Sequence, residues 1–179
     1  MNVLPSDARS AARLATAQLL TERLVLCPLS PAGAADLLAG VEAPGLRWAP
    51  DYPDEADVVA ATGFLWALEH VRDFAPFGPY QLVRRVDGLV IGGGGFHGPP
   101  VCGEVEIAYA VVPSARGLGY ATEAARGLIA LAAASGVRSV FAVVAADNIA
   151  SRRVAIAVGL RLLAGPDGGL LRYTRTLPR

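Results

Sequence analysis

The sequence predicts one domain of the mixed α/β class (α+β). The chain has 179 residues, and 53% of them are hydrophobic, which is enough for one sizeable core. Strand-like runs dominate the middle of the chain, and helical patterns lie before and after them. No internal repeat or linker divides the sequence. We therefore expect a single domain over residues 20–179, preceded by an N-terminal extension over residues 1–19.

Charge and cysteine content narrow the functional classes. Sixteen basic and sixteen acidic residues cancel, so no net charge favours binding to nucleic acid or to an anionic membrane. Cys27 and Cys102 show no metal-ligand or redox spacing, and we expect no metal. No apolar run is long enough to cross a bilayer, and the first residues lack the pattern of a signal peptide. These observations make the cytoplasm the expected location and give no reason to expect nucleic acid or a membrane as a partner.

The first half of the chain predicts a strand and two helices. The strand covers residues 23–29, and the first helix covers residues 31–38 with Ser30 as its N-cap. Prolines and glycines over residues 40–54 predict a loop. A second helix should cover residues 54–72 and carry four residues near one face, namely Val58, Thr62, Leu65 and Leu68.

Three strands are predicted next. Residues 80–86 and 89–96 flank Asp87-Gly88, a dipeptide favoured in two-residue hairpins. The glycine cluster over residues 92–95 lies inside a strand pattern and indicates close backbone packing or a bulge. The third strand, over residues 103–112, alternates clearly. Its two faces would carry Val105, Ile107, Tyr109 and Val111 on one side, and Glu104, Glu106, Ala108 and Ala110 on the other.

The last third of the chain predicts two helices and three strands. A helix over residues 120–135 precedes an apolar strand over residues 138–145. Asn148 can cap a helix that continues to residue 158. Short strands over residues 160–164 and 170–176 should meet at a Gly-Pro-Asp-Gly turn.

The stretch VVPSARGLGYATEAARG (residues 111–127) predicts a strand, a glycine turn and a helix in that order. Free N–H groups at such a turn, together with the helix dipole, favour phosphate binding. A triphosphate loop requires a lysine, and the chain contains none. A dinucleotide-binding turn requires a third glycine where Thr122 stands, in the first βα unit of the fold. The remaining candidate is a pyrophosphate held by backbone amides.

Two motifs resemble the GNAT family of N-acetyltransferases. The family's pyrophosphate loop, Gln/Arg-x-x-Gly-x-Gly/Ala, is similar to the segment that ends at Gly117 and Gly119, with Ser114 in the first position. A later family pattern, Asn-x-x-Ala/Ser-x-x-x-Tyr-x-x-x-Gly-Phe, is matched at four positions and has Ala155 in place of the tyrosine. The matching residues are Asn148, Ser151, Gly159 and Leu160. TERLVLCPLS (residues 21–30) resembles the RimJ/RimL-like branch, which contains ribosomal-protein N-terminal acetyltransferases.

The resemblance implies a fold and a cosubstrate. The fold would be a mainly antiparallel central sheet of six to seven strands flanked by about four helices, and acetyl-CoA would be the acyl donor. The pantetheine arm would lie beside Val111 and Val112 and contact Asn148. The pyrophosphate would rest on backbone groups of Arg116, Gly117, Leu118, Gly119, Tyr120 and Ala121. Aromatic residues of the first half would line the acceptor pocket, namely Trp48, Tyr52, Trp66 and Phe74.

Acetyl transfer to an amine requires a base and a donor to the leaving sulfur. Glu106 is the preferred base, and Glu104 and His97 are the other candidates. Alternatively, Glu106 is only a polar residue on the face of its strand. Ser151 is the candidate donor, although a serine there can also serve the helix start alone. An acyl-CoA-binding module without catalysis remains an alternative. The amine acceptor and the choice between monomer and homodimer stay open.

Overall fold

The computed structural model describes residues 18–70 and 74–178, so residues 1–17 of the predicted extension lie outside the described residues. The described part contains nine strands, which are β1 Leu19–Leu20, β2 Leu24–Pro28, β3 Arg47–Trp48, β4 Pro79–Arg84, β5 Leu89–Phe96, β6 Glu104–Val111, β7 Ser139–Ala145, β8 Arg161–Asp167 and β9 Leu170–Thr176. It also contains four α-helices, which are α1 Pro31–Leu38, α2 Glu55–Leu68, α3 Tyr120–Ala134 and α4 Ile149–Ala157. None of these helices is long and apolar enough to cross a membrane.

The strands form one mainly antiparallel sheet in the order β1-β2-β4-β5-β6-β7-β9-β8, and β3 pairs with β5 beside this path. Two of the pairings, β3 with β5 and β6 with β7, are parallel. The predicted fold class is confirmed. The strand count exceeds the prediction because β1 and β3 contain only two residues each, too few to show a pattern in the sequence.

The pairing between β6 and β7 is short. Only the first three residues of β6, Glu104–Glu106, pair with β7, and within the described part of the chain the remainder of β6 has no partner strand on that side. On its other side β6 pairs with β5 over five residues, from Ile107 to Val111. The sheet therefore opens between β6 and β7 toward the carboxyl end of β6.

Helices cover both faces of the sheet. A side chain built at Gly93 of β5 would overlap the carboxylate of Asp57 on α2, whereas one built at Gly94 would contact Leu128 on α3. Because successive strand residues point to opposite faces, α2 and α3 lie on opposite sides of the sheet. The predicted close packing of the glycine cluster is also confirmed, since a side chain at Gly92 would overlap the carbonyl of Ala110.

The predicted face of α2 is correct only in part. Leu65 and Leu68 pack against the core, but Val58 and Thr62 are exposed. The fully buried residues of this helix are Asp57, Ala61 and Phe64. Apolar residues occur around the whole helix, so spacing alone does not determine its orientation. A capping box between Asp54 and Asp57 sets the first turn and brings Asp57 inward. The helix ends at Leu68, short of the predicted residue 72.

The other predicted elements are confirmed, and most of their ends agree within two residues. The loop predicted over residues 40–54 contains the short strand β3. Strand β8 extends to Asp167, three residues further than predicted, because the turn that follows it is made by Gly168 and Gly169, both with positive φ.

Candidate active site

The glycine turn after β6 presents a row of free backbone donors. A short 3₁₀ turn, Pro113–Ala115, leads into it, and Gly117 (φ 77°) and Gly119 (φ 83°) adopt left-handed conformations. The N–H groups from residue 117 to residue 122 have no acceptor among the described residues, because the first helical hydrogen bond is donated by Glu123 to Gly119. The last three of these groups, from residue 120 to residue 122, belong to the first turn of α3, where an anion is favoured.

Backbone groups of three residues predicted to contact the cofactor already have partners within the chain. The N–H of Arg116 donates to the carbonyl of Pro113 at 3.2 Å, so the amide row begins at Gly117. The N–H of Val112 donates to Ile91 on β5 at 3.0 Å and therefore faces away from the opening. The carbonyl of Val111 accepts from Arg116 Nε at 2.8 Å.

Residues distant in sequence hold the glycine turn in place. Glu123 accepts hydrogen bonds from Thr21 Oγ1 at 2.6 Å, from the Arg23 N–H at 2.6 Å and from Arg23 Nε at 2.7 Å. Arg23 also donates to the carbonyl of Leu118 at 2.9 Å and lies over the ring of Tyr120. Partial burial acts to raise the pKa of Glu123, but the hydrogen bonds from Thr21 and Arg23 outweigh it, and the net shift is downward. Sequence reasoning missed Arg23, which lies in the TERL segment at residues 21–24.

Ser114 stands at the first position of the family's loop pattern, where the pattern has Gln or Arg, and its polar groups form hydrogen bonds within the chain. Its N–H and its hydroxyl both donate to the carboxylate of Asp51, at 2.8 and 2.6 Å. These hydrogen bonds lower the pKa of Asp51. Ser114 thus joins the glycine turn to the loop before α2.

Glu106, the predicted base, lies beside one of its rivals. His97 Nδ1 is 3.3 Å from Glu106 Oε1, and this hydrogen bond raises the pKa of His97 although burial opposes the shift. Glu104, the second rival, is already engaged, because it accepts from Arg172 at 3.0 Å and from Ser139 at 2.8 Å. The structure therefore brings Glu106 and His97 together and gives Glu104 a role in joining three strands.

The amino end of α4 faces the open part of β6. Asn148 Oδ1 accepts from the N–H of Ser151 at 3.0 Å, so Asn148 caps this helix. The Ser151 hydroxyl has no hydrogen-bond partner among the described residues, whereas its backbone carbonyl accepts from the phenol of Tyr109 at 3.1 Å. Ala155, at the family's tyrosine position, is 0% exposed and belongs to the core.

A cavity of about 570 Å³ lies between α2 and strands β4 to β6. Its walls are mainly apolar, and the side chains that bring polar groups to it are Asp57, Tyr52, Tyr80, Gln81 and His97. Tyr52, Trp66 and Phe74, which the resemblance assigns to an acceptor pocket, all line it. Trp48 does not line it and instead packs edge-on against Tyr52 at 5.4 Å between ring centroids.

The open part of β6 leads directly into this row of free amides. A match to a known protein family identifies the class of protein. The model of the acetyltransferase (GNAT) domain matches residues 23–161. Because the match spans more than half of the sequence, the chain belongs to the GNAT acetyltransferase family.

Solved structures show the same fold. An acetyltransferase from Agrobacterium tumefaciens is 26% identical over 89% of this chain and 94% of its own, with a TM-score of 0.63. A GNAT-family acetyltransferase from Bordetella pertussis is 27% identical over 89% and 99%, with a TM-score of 0.62. The ribosomal-protein acetyltransferase RimL, solved with coenzyme A, is similar in fold at 16% identity over 90% and 98%, with a TM-score of 0.61. No curated protein matches the chain.

Proposed function

We propose that this acetyltransferase moves an acetyl group from acetyl-CoA to a primary amine, either a protein N-terminus or a small-molecule amine. The observation that carries the proposal is the run of unpaired N–H groups over residues 117–122 at the amino end of α3, directly after the open strand β6. A pyrophosphate fits such a row because it offers acceptor oxygens and negative charge to donors without partners.

The donor would extend from this row along the open edge of β6. Leu118, Gly119, Tyr120 and Ala121 would donate to the pyrophosphate, together with Gly117. The pantetheine arm would follow β6 past Val111 toward the amino end of α4. Asn148 caps α4 through its side-chain oxygen, which leaves its side-chain N–H groups available to the arm.

The reaction would proceed by direct attack in a ternary complex. A primary amine is protonated at neutral pH and must lose a proton before or during attack. In the proposed step Glu106, directly or through water, takes that proton while the nitrogen forms a bond to the acetyl carbon. The C–S bond then breaks, and the Ser151 hydroxyl donates a hydrogen bond to the departing thiolate of coenzyme A. Support for these roles comes from the partnership of Glu106 with His97 and from the unpaired hydroxyl of Ser151.

A catalytically weakened acyl-CoA-binding module is the second candidate. Two observations favour it. Ser114 is used to bind Asp51, and Ala155 supplies no phenol at the position where the family pattern has tyrosine.

Turnover separates the two functions. The purified chain is incubated with acetyl-CoA and a panel of primary amines and peptides with free N-termini. Released coenzyme A thiol is then measured beside the acetylated product by mass spectrometry. The proposed function predicts thiol release that depends on both the acceptor and Glu106. Tight acetyl-CoA binding without acceptor-dependent release in the whole panel would instead support the module.

A further inference from the structure

Asp57 is a buried acid that no part of the reaction proposed above requires. It stands in the first turn of α2, is only 6% exposed, and lines the cavity between this helix and the sheet. Buried carboxylates normally have a cationic partner or several hydrogen bonds. Asp57 has no ion-pair partner among the described residues.

Only one oxygen of Asp57 has a donor within the described chain. Oδ2 accepts from the backbone N–H of Asp54 at 3.1 Å, completing the capping box. Oδ1 receives no hydrogen bond and lies directly over Gly93, where any side chain would overlap it. The capping role therefore accounts for one oxygen and leaves the other facing the cavity.

The charged and titratable groups around Asp57 do not neutralise it. Asp54 is a second carboxylate in the same turn, and the guanidinium of Arg116 is 3.9 Å from Asp54. The phenol of Tyr52 accepts a hydrogen bond from Gln81 at 3.1 Å. Burial raises the pKa of Asp57 to about 7, with the charge of Asp54 adding to the shift. A cation in the cavity would relieve this unfavourable burial of negative charge.

The remaining cavity wall favours an apolar ligand body. Side chains from α2, from strands β4 and β5 and from the segment between α2 and β4 supply most of the lining, and they include Val59, Phe64, Trp66, Phe74 and Phe96. Among the described lining residues, His97 is the other group that can carry charge near neutral pH, and it is already paired with Glu106. The cavity thus combines an apolar wall with one unpaired carboxylate.

We infer that Asp57 binds a positively charged nitrogen of the acceptor, so that the site selects hydrophobic amines and disfavours amines that also carry a carboxylate. The inference rests on the proposed function and assigns the acceptor to this cavity, which is lined by the predicted acceptor-pocket residues Tyr52, Trp66 and Phe74. Asp57 contributes the counter-charge, and the apolar wall contributes the contact area. A carboxylate on the acceptor would meet Asp57 with like charge in a poorly solvated place.

Binding of three matched compounds tests this assignment without any need for turnover. Phenylethylamine, phenylethanol and phenylalanine share one aromatic body and differ in charge. Calorimetry is performed with coenzyme A present, at about pH 8, where the amine is protonated and Asp57 is ionised. The amine should bind at least about tenfold more tightly than either other compound. Asp57→Asn keeps the shape and the capping oxygen and should remove this preference. Glu55→Gln changes an exposed acid in the same helical turn and should retain it.

Each outcome of these binding measurements either supports or overturns the inference about Asp57. Equal binding of the amine and the alcohol by the unchanged protein overturns the inference, as does failure of the amine to bind at all. A preference that persists in Asp57→Asn also overturns it. The wild-type comparison holds even if the variant does not fold. Should the amine preference be present while no acetyl transfer to any amine occurs, the proposed function fails and the cation site stands. If acetyl transfer occurs without the preference for the amine, the proposed function stands and the cation site at Asp57 is overturned.

Discussion

The phenol of Tyr109 donates a 3.1 Å hydrogen bond to the backbone carbonyl of Ser151. Tyr109 lies on β6 where the strand has lost its pairing with β7, and Ser151 lies in the first turn of α4. Burial raises the pKa of Tyr109 to about 12, so the phenol stays protonated and remains a donor at neutral pH. This contact sets the distance between the open strand and the candidate donor to the leaving sulfur.

Tyr109→Phe should slow acetyl transfer by about 2- to 12-fold, the equivalent of one net hydrogen bond, because Ser151 would lose its tether. Acetyl-CoA affinity should stay within about twofold. Steady-state kinetics and calorimetry check this result. Tyr173→Phe is the control, since it removes a different contact to α4, the 3.2 Å hydrogen bond from Arg152, and should leave turnover nearly unchanged. Equal effects of both variants would mean that Tyr109 acts only through general stability.

Ser151→Ala removes the unpaired hydroxyl at the start of α4. If that hydroxyl stabilises the leaving thiolate by about 1 to 3 kcal/mol, turnover should fall by roughly 5- to 150-fold, with little loss of acetyl-CoA affinity. The helix should remain capped, because the bond from Asn148 goes to the backbone N–H. Unchanged turnover in a folded variant would limit residue 151 to a structural role.

Gly119→Val tests the pyrophosphate row. Gly119 has a φ of 83°, and a β-branched side chain there would be strained and would stand beside the free amides. We expect a loss of coenzyme A affinity of at least about tenfold. Gly136→Val is a matched control for strain, because Gly136 ends α3 with a φ of 77° and has open space around it. Calorimetry that finds equal affinities in both variants would reject the row as the binding site.

Glu106→Gln retains shape and removes the proton acceptor. Turnover should fall by roughly 10²-fold, the size typical of a general base, while coenzyme A affinity stays unchanged. The pKa of His97 should fall in the same variant because its hydrogen bond to the carboxylate is lost, and NMR titration can follow this change. Glu104→Gln is the control, since Glu104 is occupied by Arg172 and Ser139. Near-normal turnover of the Glu106 variant would assign proton removal to another group.

Asp57 should make the fold less stable as the pH rises. Its folded pKa of about 7 lies above the ordinary value of 3.8, so the folded state holds a proton that the unfolded chain has released. Between about pH 4 and pH 7 the free energy of unfolding therefore falls as the pH increases. Asp57→Asn should lack this component, so its melting temperature relative to wild type should be higher at about pH 8 than at about pH 4. A difference that does not change with pH would show that Asp57 has an ordinary pKa.

The strands, the helices and the glycine turn before α3 could be predicted because their signals are local. Glycines 117 and 119, the alternation along β6 and the cap at Asn148 each depend on neighbouring residues, and the structure has all three. The orientation of α2 could not be predicted, since apolar residues surround the helix and the side that packs depends on the sheet.

The sequence by itself determined the family, the order of the secondary-structure elements and the glycine turn before α3. Backbone conformation and short motifs decide these features. The tertiary structure alone decided which side chains meet. Arg23 reaches Glu123 across 100 residues, and Tyr109 reaches Ser151 across 42. The family pattern placed Ala155 at a catalytic position, but the packing of α4 makes it part of the core. In the sequence, Asp57 is an ordinary acidic residue in the first turn of a helix. Its carboxylate is buried beside a cavity only because α2 packs closely on Gly93 of the sheet. Such contacts depend on how helices pack on the sheet, and no local pattern encodes that geometry.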